Sequence, residues 1–167
     1  TRYEVRDVPP DKLAVGYRWE NDRWSPEPVM QHGAFGAMGG LVTTGNDYAR
    51  WIGYLLSAWP ASDGEAALHK TIRAMQYGGG SLHSRRRPGK DCVLGNVLFH
   101  GGGFPGYGSH MLLIPEAGVG LFALTNRTYA GPSVPVWDAA TTLFKSGYIT
   151  PRALAPTPAI DTGYAAA

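Results

Sequence analysis

The sequence has little cysteine, little net charge and no long apolar run, and each shortage excludes a class of protein. Its single cysteine, Cys92, cannot form an internal disulfide. Fifteen Lys and Arg against 13 Asp and Glu give a net charge of +2, which is too small to attract nucleic acid or an anionic membrane. A membrane-spanning helix needs about 20 consecutive apolar residues, and the sequence has no such run. We therefore expect neither a nucleic-acid partner nor a membrane span.

The chain is nevertheless apolar enough to fold. Its 167 residues are 44% hydrophobic and include five Trp and nine Tyr, which excludes a disordered chain. This length corresponds to one domain or to a large part of one. We expect the domain to cover residues 1–150, because residues 151–167 form an Ala/Pro-rich tail. No feature of the sequence fixes the cellular compartment.

The first half of the chain contains signals for one hairpin and two helices. LAVGYRWENDRWSPE predicts a short hairpin that turns at Asn21-Asp22. TTGNDYARWIGYLLSAW predicts a helix with Thr44 as its N-cap and an end at Pro60. A second helix is predicted over EAALHKTIRAMQ, before the glycines 78–80. The apolar residues of the first helix recur at helical spacing, so we expect them to face the core: Trp51, Ile52, Leu55, Leu56 and Trp59.

The second half of the chain has the rhythm of strands. CVLGNVLFH leads into a glycine run, SHMLLI predicts the next strand, and a turn follows at residues 115–118. VGLFALTN predicts a third strand, and its apolar residues on both faces indicate that it is covered on both sides. A last helix is predicted from Pro135 as its first residue to a stop at Gly147. Antiparallel strands with flanking helices and a C-terminal helix indicate the α+β class.

The glycine run FHGGGFPGYG, residues 99–108, has three interpretations that involve chemistry. In lipases an HGGG loop supplies oxyanion donors, but that fold also needs a Gly-x-Ser-x-Gly elbow further along the chain. No serine after Gly103 lies in such a pattern. Metal binding is the second interpretation, yet the five histidines form neither His-x-His nor His-Glu-x-x-His. His83, Cys92 and His100 have no zinc-site spacing either, so we expect no metal.

The third interpretation places the glycines on a strand that borders a cleft. Glycine suits such a strand because no Cβ keeps a substrate away from the backbone. A backbone N–H there can point at a developing oxyanion, which is commonly the largest single contribution to catalysis of acyl transfer. His100, at the head of the run, would add a hydrogen-bond donor beside it.

HGGGFPGYGSHMLLIPEAGVGLFALTN resembles the last active-site strand and hairpin of the serine β-lactamase and penicillin-binding-protein family, in its class C-like esterase and peptidase branch. That family carries a Lys/His-Thr/Ser/Gly-Gly triplet on this strand, which His100-Gly101-Gly102 match. FGAMGGLVTTGNDYARWIGYLL resembles the family segment that leads into a helix, and LAVGYRW resembles the segment before it. The three segments occur in the family's order and cover roughly residues 1–148.

The resemblance implies a partial β-lactamase/transpeptidase-like fold and a set of site residues. His100 and the backbone amide of Gly103 would be catalytic, and Gly101, Gly102 and Tyr107 would bind a small-molecule or peptide substrate. The reaction would be acyl transfer from an ester, amide or β-lactam through an acyl-enzyme. The resemblance implies no organic cofactor.

The family's nucleophile motif, Ser-x-x-Lys, is missing from these 167 residues, because none of the eight serines has Lys three residues later. We therefore expect the chain to be the C-terminal part of a longer hydrolase and to be inactive alone. The resemblance places two further strands beside VGLFALTN, so we expect its edge to pair with the missing N-terminal half or with a swapped copy of the chain. The alternative is a catalytically inactive module that binds peptides or glycans.

Overall fold

A computed structural model describes residues 1–31, 33–62, 64–78, 83–85 and 97–150. Cys92 and the predicted tail 151–167 lie outside them. The helices are α1 Gly45–Leu56, α2 Ala67–Gly78 and α3 Ser133–Lys145. The strands are β1 Tyr17–Glu20, β2 Arg23–Pro26, β3 His83–Arg85, β4 Val97–Phe104, β5 Tyr107–Ile114 and β6 Val119–Thr125.

The strands form two antiparallel sheets. Strands β1 and β2 pair alone, and the second sheet has the order β3-β4-β5-β6. Together with the helices and the C-terminal α3, this arrangement confirms the α+β class and fits a partial β-lactamase-like fold. None of the helices in the described part of the chain is long and apolar enough to cross a membrane.

The β1–β2 hairpin turns where the sequence predicts it. Asn21 and Asp22 both have left-handed backbones, with φ of 51° and 56°. Two consecutive left-handed residues make the tight turn that matches the twist of a hairpin. Apart from glycine, Asn and Asp adopt this conformation most readily.

Helix α1 begins as predicted, because the Thr44 hydroxyl accepts a hydrogen bond of 3.1 Å from the Asp47 N–H. Ile52 and Leu55 are buried as expected. The prediction for Trp51 is wrong: this side chain is 49% exposed and stacks on Tyr54 at 5.6 Å between ring centroids. Successive helical residues are turned by about 100°, which carries Trp51 off the face that Ile52 presents to the core.

Helix α2 starts and ends two residues later than predicted, at Ala67 and Gly78. Polar contacts connect it to the segment that follows α1. Trp59 Nε1 donates to Gln76 Oε1 at 2.8 Å. Arg73 pairs with Glu65 and also donates to the Ala58 carbonyl. Its guanidinium lies 5.7 Å from the centroid of the Trp59 ring. These contacts join the two helices that cover one face of the sheet.

Two apolar clusters lie on the two faces of the four-stranded sheet. On the face toward α1 and α2, the buried residues are Ile52, Leu55, Ala58, Ile72, Leu98, Met111 and Leu113. On the face toward α3 they are Val97, Leu112, Ile114, Val136, Ala140 and Ile149. Alternate residues of β4 and β5 therefore point into different clusters.

Strand β6 contacts both clusters, as its sequence predicts, but its coverage is incomplete. Phe122 packs against the first cluster and Leu121 against the second, whereas Leu124 is 43% exposed. Among the described strands β6 pairs only with β5, so it forms one edge of the sheet. An edge position explains why its side chains remain half-buried.

Helix α3 starts two residues before the predicted first residue, so Pro135 is its third residue. A proline fits anywhere in the first turn, because the N–H groups there have no partner within the helix. The end is as predicted: Gly147 has φ of 77°, and the N–H groups of Tyr148 and Ile149 both reach the Leu143 carbonyl.

Candidate active site

The three consecutive glycines of the run, residues 101–103, lie in strand β4 rather than in a flexible turn. Its antiparallel register with β5 places Gly101 opposite His110, Gly102 opposite Ser109 and Gly103 opposite Gly108. On the other side of β4, strand β3 pairs only with residues 97–99. Within the described residues, the stretch from His100 to Phe104 therefore has one paired edge and one open edge.

The register also fixes the direction of the Gly103 backbone. The hairpin between β4 and β5 has two loop residues and closes at the Phe104–Tyr107 pair, which exchanges hydrogen bonds in such a turn. In antiparallel ladders, bonded and non-bonded pairs alternate. The next pair, Gly103 with Gly108, is therefore a non-bonded pair, and the Gly103 N–H points away from β5 toward the open edge.

The tip of this hairpin is held by a polar chain. Gly106, with φ of 88°, donates its N–H to Thr128 Oγ1 at 2.8 Å. The Thr128 hydroxyl donates in turn to Glu27 Oε2 at 2.7 Å. Gly16 lies directly against Gly106, and a Cβ at either position would meet the other backbone. The Pro105-Gly106 corner is thereby fixed against two distant segments of the chain.

Tyr107 sits at the start of β5, beside the end of the glycine strand. Its hydroxyl donates to the Ala14 carbonyl at 2.6 Å, and its half-buried position raises the pKa of the phenol. The hydroxyl therefore holds the segment around Ala14. The predicted contact between Tyr107 and a substrate stays a prediction.

The two histidines of the hairpin lie on opposite faces of the sheet. His100 alternates with Leu98, so it belongs to the face of α1 and α2, and it is partly accessible. His110 is 6% exposed on the α3 face, with its ring centroid 6.0 Å from that of Phe99. Burial lowers the pKa of His110, and the nearby His100 lowers it further. The structure thus leaves His100 as the histidine that a ligand at this strand could reach.

A segment without a recognisable sequence signal, residues 126–130, crosses the β4–β5 hairpin. Its backbone is pinned to Tyr17, whose N–H donates to the Asn126 carbonyl and whose carbonyl accepts from the Thr128 N–H, both at 2.8 Å. Tyr129 has φ of 52°, which is unusual for a tyrosine. No local signal predicts a positive φ at this residue, because the conformation results from contacts with distant residues.

The geometry of β4 supplies two groups that can act on a carbonyl compound. One is the outward N–H of Gly103, which can donate to an oxygen that gains negative charge. The other is the imidazole of His100, three residues earlier, which can donate a hydrogen bond. The absence of side chains from Gly101 to Gly103 leaves the backbone between them accessible.

A comparison with protein-family models identifies the family of the chain. A family model described as Beta-lactamase matches residues 1–144, which is most of the chain. The chain therefore belongs to the Beta-lactamase family, and the resemblance to serine β-lactamases and penicillin-binding proteins is confirmed at the level of the family. A search of curated proteins and a search of solved structures each found no match.

Proposed function

We propose that this chain forms the oxyanion side of an acyl-transfer site in a serine hydrolase. The observation that carries the proposal is the outward N–H of Gly103 on the open edge of β4, in a chain of the Beta-lactamase family. The substrate is an ester, an amide or a β-lactam. The oxygen of a serine attacks the carbonyl carbon as the serine proton passes to a base, and the carbonyl oxygen becomes an oxyanion. When this tetrahedral intermediate collapses, the bond from the carbonyl carbon to the leaving oxygen or nitrogen breaks, the leaving atom takes up a proton, and the acyl group stays on the serine as an acyl-enzyme.

Each residue of the strand has a role in this proposal. The Gly103 N–H donates to the oxyanion, and a donor of this kind is worth about 10²–10³ in kcat. His100 orients the substrate and takes part in the proton-transfer network. Gly101 and Gly102 let the substrate approach the backbone, and Tyr107 forms a wall at the end of the strand.

The nucleophile, in this proposal, comes from residues outside the 167. The support is that none of the eight serines in the chain has Lys at the third position after it. The open edge of β6 gives the partner a place to pair. That partner is the N-terminal half of the hydrolase, which would carry the nucleophile. A swapped copy of this chain could pair along the same edge, but it has no Ser-x-x-Lys motif of its own.

A second candidate function is a catalytically inactive module that binds peptides or glycans on the same strand. The missing Ser-x-x-Lys motif favours it if these residues act alone. In that case Gly103 and His100 would hold a ligand carbonyl or hydroxyl group without any covalent step.

Covalent labelling separates the two candidates. The 167-residue chain and the gene product with any residues encoded before Thr1 would each be treated with a fluorescent penicillin and a fluorophosphonate. We expect label only on the longer product, and we expect excess unlabelled penicillin to block its fluorescent counterpart. Label on the 167-residue chain would contradict the proposal that the nucleophile lies outside these residues. A longer product that stays unlabelled but binds peptidoglycan fragments would favour the binding module.

A further inference from the structure

Tyr129 combines an exposed side chain with two features that ordinary surface tyrosines lack, a positive φ and a close contact with a glycine backbone. Its φ of 52° is a left-handed conformation that costs a non-glycine residue free energy. Its side chain is 65% exposed, so burial of the ring does not explain that cost. A Cβ added at Gly103 would come within 2.8 Å of the Tyr129 ring at Cδ1 and within 3.3 Å of its Cα. The left-handed backbone of Tyr129 therefore occurs where this residue lies against the backbone of Gly103.

The surrounding contacts hold Tyr129 in this conformation from both sides. Its own N–H donates to the Phe104 carbonyl at 3.3 Å, directly after Gly103. Before it, Thr128 is fixed by its hydrogen bonds with Gly106, Glu27 and Tyr17. After it, Ala130 donates its N–H to the Arg127 carbonyl at 3.2 Å. Strain of this kind persists only where its neighbours overdetermine it, and such sites cluster where function needs a fixed geometry.

The contact is made on the face of β4 that the proposed reaction leaves free. Gly103 lies on the α3 face of the sheet, as do Gly101 and His110, and Tyr129 covers it from that side. The N–H of Gly103 points along the sheet toward the open edge, so the Tyr129 ring does not block it. The ring instead limits how far the Gly103 backbone can tilt out of the plane of the sheet.

We propose that Tyr129 is a positioning residue that holds the Gly103 N–H in the direction needed to receive an oxyanion. Pairing with β5 restrains Gly103 on one side only, and within the described residues no strand pairs along its open edge. The contact with Tyr129 therefore adds a restraint that a glycine, without a side chain of its own, lacks. The proposal deepens the proposed function and rests on it. Because donors help catalysis only when they are already aimed at the developing charge, a loose Gly103 would slow acylation more than it would weaken substrate binding.

Two variants at this position separate the ring from its hydroxyl. Tyr129→Phe keeps the ring over Gly103 and is the matched control, whereas Tyr129→Ala removes the ring and keeps the strained backbone. Backbone order parameters from ¹⁵N relaxation of the 167-residue chain report the effect on Gly103 directly. We expect about 0.85 at Gly103 in the wild type and in Tyr129→Phe, and a fall toward 0.6 in Tyr129→Ala, with Gly101 unchanged. Tyr129→Gly, which relieves the strain, should give the same loss of order as Tyr129→Ala.

The kinetic readout uses acylation of the longer gene product by the fluorescent penicillin. We expect Tyr129→Ala to lower the acylation rate constant at least tenfold with little change in the concentration for half-maximal rate, and Tyr129→Phe to restore it. An equally ordered Gly103 in Tyr129→Ala, or an unchanged acylation rate constant, would overturn the positioning role. A wild-type product that is never acylated would contradict the proposed function. If Tyr129→Ala still lowered the order parameter of Gly103 in that case, the restraint of Gly103 by Tyr129 would nevertheless be supported.

Discussion

Gly103 and Gly108 face each other across β4 and β5, and one segment of chain lies on both. Tyr129 covers Gly103, and the carbonyl of Ala130 occupies the position that a Cβ on Gly108 would take. A Cβ would meet a backbone oxygen at Gly108 and a ring carbon of Tyr129 at Gly103, so both positions favour glycine on steric grounds. A run that resembles a flexible linker in the sequence is therefore a paired strand with close contacts on one face.

A substitution at Gly108 tests this packing. We expect Gly108→Ala to lower the free energy of unfolding by about 3 kcal/mol or more, because the new methyl group overlaps a backbone oxygen that cannot rotate away. The matched control is Gly53→Ala in α1, where an added Cβ meets no atom within 4 Å. There alanine should stabilise the protein by about 0.5–1 kcal/mol.

Urea unfolding of both variants measures these differences. Equal stability of Gly108→Ala and the wild type would contradict the close contact with Ala130. A loss of stability in Gly53→Ala would instead show that glycine substitutions destabilise this chain for reasons other than overlap.

At the scale of single residues, the sequence predicts what depends on neighbouring residues. Thr44 as an N-cap and Asn21-Asp22 as a turn follow from local hydrogen bonding and local backbone preference. The exposure of Trp51 and the strained Tyr129 do not follow, because each depends on which distant surface lies beside it. Helical spacing alone could not show where the apolar face of α1 ends.

At the scale of elements, the β4–β5 hairpin carries the candidate site. We expect His110, in this hairpin, to make the free energy of unfolding depend on pH. In the folded chain the pKa of His110 lies below its ordinary value of 6.5, because the imidazole is buried. Its Nε2 atom is buried without a hydrogen-bond partner in the described structure, so a proton there would bring a poorly compensated charge into the sheet.

We expect the free energy of unfolding to fall as the pH drops below about 6.5, since the unfolded chain then binds more protons than the folded chain. The contribution is fully present above that pH and is lost as the pH falls through the lower, folded pKa. His110→Phe should remove this part of the dependence, and His69→Gln in α2 serves as the control that keeps it. Urea titrations at several pH values between about 5 and 8 would measure it. The same slope in His110→Phe as in the wild type would rule out His110 as its source.

Element types and order follow well from the sequence, whereas their ends follow less well. The predicted β1–β2 hairpin, the three helices and the antiparallel arrangement of the later strands occur where the sequence indicates. The starts of α2 and α3 each differ by two residues from the prediction. Helix ends depend on which terminal N–H and C=O groups find partners, and those partners lie partly in other elements.

At the scale of the whole molecule, β6 is an edge of the sheet within the described residues, and we expect this edge to determine how the chain associates. We expect the 167-residue chain alone to form dimers or larger assemblies by pairing along residues 119–125. Leu124→Lys places a charge on the edge strand, at a residue that is already partly exposed, and should shift the chain toward monomer.

Sedimentation velocity at several protein concentrations measures this shift. Val134→Lys, on the exposed side of α3, adds the same charge away from the edge and should leave association unchanged. A wild-type chain that is a monodisperse and thermally stable monomer would contradict the pairing. Equal effects of the two lysines would mean that added charge, rather than the β6 edge, governs association.

Hydrogen bonds between distant segments of the chain, close to the tip of the β4–β5 hairpin, have a consequence for the order of folding. The hydroxyl of Tyr107 bonds to a carbonyl 93 residues away, and the Asn126 side chain donates to the Val15 carbonyl 111 residues away. Contacts between such distant segments form slowly, because a long loop must close first. We therefore expect the helices to form early and the fixed geometry around Gly103 to form last, when both ends of the domain have met. The glycines of β4 would then be the last residues of the domain to reach their native geometry.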